Sequence, residues 1–290
     1  MNLSLTSDQI RLAAPKGKPV IIDAIALQSA RVFAKYKIDN DSRVIGLMSV
    51  IIEETGGLRA LSEDLNYSAE RAHEIFPHYF PTVASAEPYA YNPVAFGNKV
   101  YGGRMGNTRP GDGYLFRGEG LPQITGHDNF ALVQKLTGLQ TLTTPELVTL
   151  PEYMLECAVA LFVQYTDILG YCDSQNWRAV WALVGSGSAN GKINNPENHE
   201  AALVAAKRMK ITYGAPIPPA SVKLPDPIIP AKAPPAPPPS SLVVDIVSKS
   251  SAEPAPVSAT PVFSHGWIWA IVALIVAVAI TAWLYFRSSH

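Results

Sequence analysis

The chain has 290 residues, of which 48% are hydrophobic, and a formal net charge of -1. This length and apolar content are sufficient for one large or two modest domains with a hydrophobic core. The nearly neutral charge offers no general electrostatic attraction to nucleic acid or to an anionic membrane surface, so nucleic-acid binding is not expected.

Two helices are predicted before residue 40. Ser7 and Asp8 suit the start of a short helix over 9–14, which Pro15 and Gly17 close. Apolar residues recur at three- and four-residue spacing over 21–36, which is typical of an amphipathic helix. The start of the chain lacks the basic and apolar segments of a secretory signal, so export through a cleaved signal peptide is not expected.

The third predicted helix carries the first candidate for catalysis. It begins with Ser42 as its N-cap and stops before Gly56 and Gly57, where helices commonly end on a left-handed glycine. Its last turn contains Glu53 and Glu54. At about 100° per residue, Glu54 lies at the edge of the apolar stripe and Glu53 lies on the polar side. We therefore expect Glu54 to be half-buried and Glu53 to be solvated.

The expected environment of Glu54 suits an acid. Partial burial and the negative end of the helix dipole both favour the protonated form of a carboxyl group. A carboxyl group that stays protonated near neutral pH can protonate a leaving oxygen, which makes Glu54 a candidate general acid. On the evidence of this helix alone, a solvated pair of glutamates at a fraying helix end is the alternative.

The segment from residue 58 to residue 136 alternates between loops and shorter helices. Glu63 falls on a short polar loop that faces the end of the preceding helix, and Ser68 suits the N-cap of the next one. Seven glycines between 98 and 120 predict a loop that lets backbone approach a ligand closely. This loop matches no phosphate-binding pattern, and Glu119 would repel a phosphate. A helix is predicted over about 128–136.

The remaining predicted helices are a long buried one over 151–169 and a final one over about 198–209. Cys157 lies inside an apolar run of the first, and Cys172 lies just beyond it. Two cysteines at this spacing match neither a redox motif nor a zinc site, so two buried thiols are favoured over a disulfide. We expect neither a metal nor a cofactor.

The composition changes sharply after residue 213. Fourteen of the 25 prolines lie between Pro216 and Pro261, which predicts a disordered, semi-rigid Pro/Ala-rich linker over 214–265. The twenty residues from Trp267 to Phe286 carry no charge and have aromatic residues at both ends. This pattern predicts one transmembrane helix over 266–287.

Two motifs resemble glycoside hydrolase family 19, and the likeness is closer to its phage and prophage endolysins than to its plant chitinases. They are EETGGLRALSEDLNYSAER at Glu53 to Arg71 and YGGRMGNTRPGDGYLFRGEGLPQITG at Tyr101 to Gly126. The resemblance covers about residues 1–212. It implies a mostly α, two-lobed, lysozyme-like catalytic domain over 1–213, with a cleft between the lobes.

The resemblance also implies roles for individual residues. It places the general acid at Glu54 and the second catalytic carboxylate at Glu63, with the hydroxyl of Thr125 helping to hold the attacking water. It further implies that three residues bind the sugar substrate: Gln123, Asn129 and Asn194. The assignment of Asn194 rests on an Asn-Asn pair where the family usually has Asn-Gly-Gly.

Two positions depart from the pattern of the family. Glu53 stands where the family often has a histidine, and Glu119 stands where an arginine is usual. We expect Glu119 to add negative charge beside the cleft.

The sequence thus favours an endolysin that hydrolyses the β-1,4 bond between N-acetylmuramic acid and N-acetylglucosamine with inversion. There are two alternatives. One is a chitinase, and the other is a wall-binding protein that is tethered to the membrane and catalytically impaired. The expected partners are peptidoglycan glycan strands, the membrane through the C-terminal helix, and holin-type phage proteins. The expected location is the bacterial inner membrane, with the catalytic domain acting on the periplasmic side. The single flanking arginine, Arg287, favours this orientation by the positive-inside rule.

Overall fold

The structure is a computed structural model, and it describes residues 3–211. Within this range the chain forms helices, turns and two isolated backbone bridges but no strand, so the mostly α class is confirmed. The predicted linker over 214–265 and the predicted membrane helix over 266–287 lie outside the described residues. Within residues 3–211, no helix is both long and apolar enough to cross a bilayer.

The described residues form twelve α-helices in this order: α1 (Ser7–Ala13), α2 (Pro19–Tyr36), α3 (Asp41–Glu54), α4 (Ala69–Ile75), α5 (Val83–Ala86), α6 (Pro93–Tyr101), α7 (Asp112–Leu115), α8 (His127–Thr137), α9 (Met154–Val163), α10 (Ile168–Asp173), α11 (Trp177–Ser186) and α12 (Pro196–Ala206). Three short 3-10 helices accompany them: Glu87–Tyr89, Pro145–Thr149 and Lys207–Met209.

The buried apolar side chains of the described residues pack as three clusters. The largest joins α1, α2 and α3 to α9 through α12. A second cluster is formed by α4, α5 and α6 with the loop that precedes them. The third surrounds Phe130 of α8. The cluster around α4 to α6 is thus a second local core within residues 3–211.

Helix α3 lies within the largest cluster and is held tightly there. Its N-cap is Asn40, whose side chain accepts a hydrogen bond from the backbone of Arg43 at 2.9 Å. The prediction of Ser42 as the N-cap was therefore wrong by two positions. A Cβ at Gly46 would lie 2.5 Å from the sulfur of Cys172, so only glycine lets α3 approach α10 this closely.

The long helix predicted over 151–169 is interrupted. Helix α9 ends at Val163, and α10 begins at Ile168 after Asp167 adopts a left-handed conformation with φ of 61°. An uninterrupted helix cannot include such a residue. The break places Gln164, Tyr165 and Thr166 on a turn whose side chains line a cavity next to α3.

The predicted loop over 98–120 is partly helical. Helix α6 continues to Tyr101, and the four-residue helix α7 lies between the glycines. The two cysteines are both buried and form no disulfide, which confirms the prediction of two thiols. Burial raises the pKa of Cys157 and of Cys172 to about 12, so both stay protonated at neutral pH.

Candidate active site

Glu54 is the last residue of α3 and is half-buried, as the sequence predicted. It faces a cavity of about 300 Å³ whose walls are mostly apolar and come from α3, α8, α9 and α11. Burial raises the pKa of Glu54 well above its usual range, because an apolar wall cannot solvate a carboxylate. This direction favours the protonated form that a general acid requires.

The prediction that Glu53 is solvated was wrong. Glu53 is half-buried, in a groove between the end of α3 and the alanine-rich face of α12. Burial raises its pKa, and a hydrogen bond from Glu54 partly offsets this rise. The helical wheel gave the direction of each side chain correctly, but it could not show that α12 packs against the side of α3 that carries Glu53.

Glu63 lies on the loop after α3 and is fixed to the glycine-rich segment by its own backbone. Its N–H donates to the carbonyl of Gly118 at 2.8 Å, and the N–H of Gly118 donates back to the Glu63 side chain at 3.3 Å. A further backbone hydrogen bond between the same two segments runs from the N–H of Gly120 to the carbonyl of Leu61 at 2.7 Å. This short ladder determines where the second carboxylate sits.

The pKa of Glu63 is raised overall, but its side chain has neighbours that favour the charged form. Burial raises its pKa, but three contacts oppose that rise by stabilising the charged form. The hydroxyl of Tyr101 donates to Glu63 at 2.5 Å, Gly118 donates its N–H, and Arg117 contributes its positive charge. Arg117 is in turn fixed over the ring of Tyr114, with 4.3 Å from its Cζ to the ring centroid.

Three side-chain oxygens converge on the face of Gly118. A Cβ built there would lie 3.1 Å from Gln123 Oε1, 3.3 Å from Glu63 Oε2 and 3.3 Å from Thr125 Oγ1. The structure thus brings together three of the residues that the family resemblance singled out. The absence of a side chain at Gly118 allows this convergence.

A chain of hydrogen bonds connects this group to the cavity of Glu54. The hydroxyl of Thr125 donates to the carbonyl of Gln123 at 3.0 Å, and the Asn129 amide donates to the carbonyl of Thr125 at 2.8 Å. Asn129 itself lines the cavity that Glu54 faces. Gln123 has a positive φ of 49°, a strained conformation that proteins often retain at functional sites.

Glu119 does not present a free charge to the cleft, in contrast to the expectation from the sequence. Its side chain is only 4% exposed and forms an ion pair with Arg117. Burial raises its pKa, and the charge of Arg117 opposes that rise. Its backbone forms two hydrogen bonds with Ile124 and so closes the turn that carries Gln123.

Asn194 is neither among the residues that line the cavity of Glu54 nor among the nearest neighbours of Gly118. It precedes α12, is half-buried, and its backbone forms a hydrogen bond with His199. His199 stacks on Trp181 at 5.3 Å between the ring centroids. The structure therefore places Asn194 just before the helix that packs on α3.

Sequence reasoning missed three residues that lie near the candidate acids. Tyr101 and Arg117 act on Glu63, and Tyr165 faces the same cavity as Glu54. Burial, followed by the charge of Glu54, raises the pKa of Tyr165 to about 12. Tyr101 and Arg117 lie within the second motif, but only their position in space distinguishes them from the other residues of that motif. Within residues 3–211, no cluster of His, Cys, Asp and Glu suits a metal ion.

No protein-family model matches the chain. A glycosyl hydrolase family 19 domain-containing protein of Haemophilus influenzae is 41% identical to it over 87 residues. The aligned segment covers 29% of this chain and 44% of that protein, so the chain spans less than half the length of the relative it matches. Over the aligned segment this chain is similar to that protein, which agrees with the resemblance that the motifs indicated.

Proposed function

We propose that this chain is a glycoside hydrolase that cleaves the β-1,4 bond between N-acetylmuramic acid and N-acetylglucosamine in peptidoglycan, with inversion. The observation that carries the proposal is the convergence of Glu63, Gln123 and Thr125 on Gly118, linked through Asn129 to the cavity of Glu54. Two carboxyl groups in contrasting environments are what acid/base hydrolysis of a glycoside requires.

Glu54 provides the acid in this mechanism. Its protonated carboxyl group donates a proton to the glycosidic oxygen while the bond from that oxygen to the anomeric carbon breaks. The leaving sugar departs as a neutral alcohol, and Glu54 becomes a carboxylate. The apolar wall around Glu54 supports this role because it favours the protonated form before the reaction.

Glu63 provides the base. Its carboxylate takes a proton from a water molecule while the water oxygen bonds to the anomeric carbon. Thr125 donates its hydroxyl hydrogen to Gln123, so its oxygen has lone pairs free to accept the second hydrogen of that water. Inversion requires the two carboxyl groups to be about 6.5 to 9.5 Å apart, which admits the water.

The substrate contacts in this proposal come from Gln123, Asn129 and Asn194. The first two have amide groups near the two carboxyl groups, where they can contact the acetamido and hydroxyl groups of a sugar. Asn194 would contact a sugar farther along the cleft. The reaction as written requires no metal or cofactor, because the two carboxyl groups supply and accept both protons.

A role in phage-type host lysis is part of the proposal. A linker over 214–265 and a membrane helix over 266–287 would tether the enzyme to the inner membrane, next to the peptidoglycan. Such a tether favours peptidoglycan over chitin as the substrate. The catalytic domain would act on the periplasmic side, reaching it through the orientation of the helix or through lesions made by holin-type partners.

The test is to compare purified full-length protein on peptidoglycan sacculi and on chitin oligomers. We expect new reducing ends from sacculi at a higher rate than from chitin. A preference for chitin would identify a chitinase, and anhydro-muramic ends would identify a lytic transglycosylase. Binding to sacculi without any release of sugar ends would identify a wall-binding protein.

In this proposal the attacking water lies between Glu63 and Thr125, and its position can be tested at Gly118. In Gly118→Ala the new Cβ would crowd the three oxygens and displace them by a few tenths of an ångström. We expect kcat to fall about tenfold, because misplacement of catalytic groups is costly even at this scale. Gly185→Ala is the matched control, since a Cβ at Gly185 meets no atom within 4 Å. Equal kcat in both variants would contradict the proposed position of the water.

A further inference from the structure

A second groove, beside the cavity of Glu54, takes no part in this mechanism. It lies between the last turn of α3, the loop that follows α3 and one face of α12, and its volume is about 230 Å³. One water molecule needs only about 10–15 Å³, so a larger ligand can enter. The apolar floor of this groove, which we call the α12 groove, consists of Ile52, Ala201, Ala202 and Ala205.

Two opposite charges line the α12 groove without pairing. Glu53 is half-buried, and Arg59 is exposed on the loop after α3. Within residues 3–211, neither side chain forms an ion pair. A charge that is partly removed from water is costly unless an opposite charge accompanies it. The groove therefore offers one unmatched anion and one unmatched cation to a ligand.

The guanidinium group of Arg59 is anchored in a way that suits a carboxylate. Its Nε donates to the carbonyl of Gly56 at 2.6 Å, and its Nη2 lies 3.8 Å from the position of a Cβ at Gly56. Among the described residues, neither terminal nitrogen of Arg59 donates a hydrogen bond. An anchored guanidinium with free terminal N–H groups can bind a carboxylate through two parallel hydrogen bonds.

Asn198 contributes a polar group to the same groove. Its Nδ2 is buried and has no hydrogen-bond partner in the part of the chain that the structure describes. Buried polar groups are nearly always hydrogen-bonded, so a ligand carbonyl in the groove would complete this bond. Asn198 also follows Asn194, to which the proposed function assigns a sugar contact, by only four positions.

We propose that the α12 groove binds the stem peptide that is attached to the muramic acid of peptidoglycan. This assignment rests on the proposed function. Arg59 binds a carboxylate of the peptide, Glu53 binds the ammonium group of its diamino acid, and the alanine face of α12 packs against its methyl and methylene groups. Chitin carries neither charge, so the groove favours peptidoglycan over chitin.

The position of the groove suits a peptide that is attached to the reacting sugar. Glu53 and Glu54 are consecutive residues, and each lines a different site at the end of α3. The stem peptide begins at the lactyl group of muramic acid. A muramic acid bound next to Glu54 therefore holds its peptide close to the α12 groove.

The first test is binding and does not depend on catalysis. The probe is the tripeptide L-alanyl-γ-D-glutamyl-meso-diaminopimelate, titrated into full-length protein by calorimetry. We expect Kd to rise about tenfold in Arg59→Gln, because a hydrogen-bonded charge pair is lost, and to rise also in Glu53→Gln. Arg208→Gln is the control, since Arg208 is an exposed arginine beyond the end of α12, and it should bind as wild type does. Absence of binding to wild type, or an unchanged Kd in Arg59→Gln, would overturn the proposal.

The second test separates peptide recognition from a structural effect of Arg59. Soluble glycan strands are prepared from the same sacculi with their stem peptides intact or removed by an amidase. On strands with peptides, Arg59→Gln should raise KM and leave kcat unchanged. On strands without peptides, it should match wild type. An equal loss of kcat/KM on both substrates would show that Arg59 acts through the fold and not on the peptide.

The two tests also distinguish this proposal from the proposed function. If the tripeptide binds but no glycan is cleaved, the α12 groove is a peptide site and the hydrolase function fails. If glycan is cleaved but the tripeptide does not bind, the hydrolase function stands and the peptide site fails.

Discussion

Glu54→Gln is expected to reduce the release of reducing ends from peptidoglycan by about 10³-fold, the scale of a general acid. Glutamine fills the same space in the cavity wall but has no proton to give to the glycosidic oxygen. The measurement is kcat on purified sacculi for the wild-type and variant full-length proteins. A variant with wild-type kcat would remove Glu54 from the role of the acid.

The stability of this variant serves as its control. The pKa of Glu54 is raised in the folded state above its ordinary value of 4.5, so the folded protein binds this proton more tightly than the unfolded chain does. The contribution of this carboxyl group to the free energy of unfolding is therefore fully present below pH 4.5, and it is lost as the pH rises through the raised pKa. Glutamine does not ionise and avoids this loss. At pH 7 Glu54→Gln should melt at the same temperature as wild type or a few degrees higher.

Glu63→Gln is expected to reduce kcat by about 10²-fold or more, because it removes the base that takes a proton from water. The amide can accept the hydrogen bond from Tyr101, so the surrounding structure should persist. KM should change less than kcat, since the lost interaction belongs to the transition state. The same sacculus assay gives both constants.

Asp64→Asn provides the matched control for Glu63→Gln. Asp64 is the neighbouring carboxylate, lies exposed on the same loop, and accepts a hydrogen bond from the backbone of Asn66 at 2.9 Å. Removing its charge should leave kcat close to the wild-type value. If both variants lose activity equally, the loss comes from the general charge of the loop, and Glu63 is not the base.

Much of the helical fold could be predicted from local patterns. Ser68 caps α4 as expected, and α2, α8 and α12 lie within a few residues of their predicted bounds. These elements follow apolar periodicity and capping chemistry, which act over a few neighbouring residues. The break between α9 and α10 could not be predicted in this way, because an apolar run reads the same whether or not one residue within it adopts a left-handed conformation.

In the candidate site, too, local patterns predicted one part and could not predict the other. Sequence motifs identified Glu54, Glu63, Gln123 and Thr125, and the helical period placed Glu54 at the edge of the core. The partners of these residues come from distant parts of the chain. Tyr101 reaches Glu63 across 38 positions, and the backbone of Gly118 reaches it across 55. No short-range pattern records such contacts.

By itself the sequence determined the helical class of this protein, the position of Glu54 at a helix end and the family motifs that contain both candidate carboxyl groups. Only the tertiary structure decided the electrostatics of those carboxyl groups. The environment of Glu53 shows why. Its own helix directs it away from the apolar stripe, and the packing of α12 nevertheless buries part of it. Burial by a distant helix sets the free energy of ionising a side chain, and that burial exists only after the chain has folded.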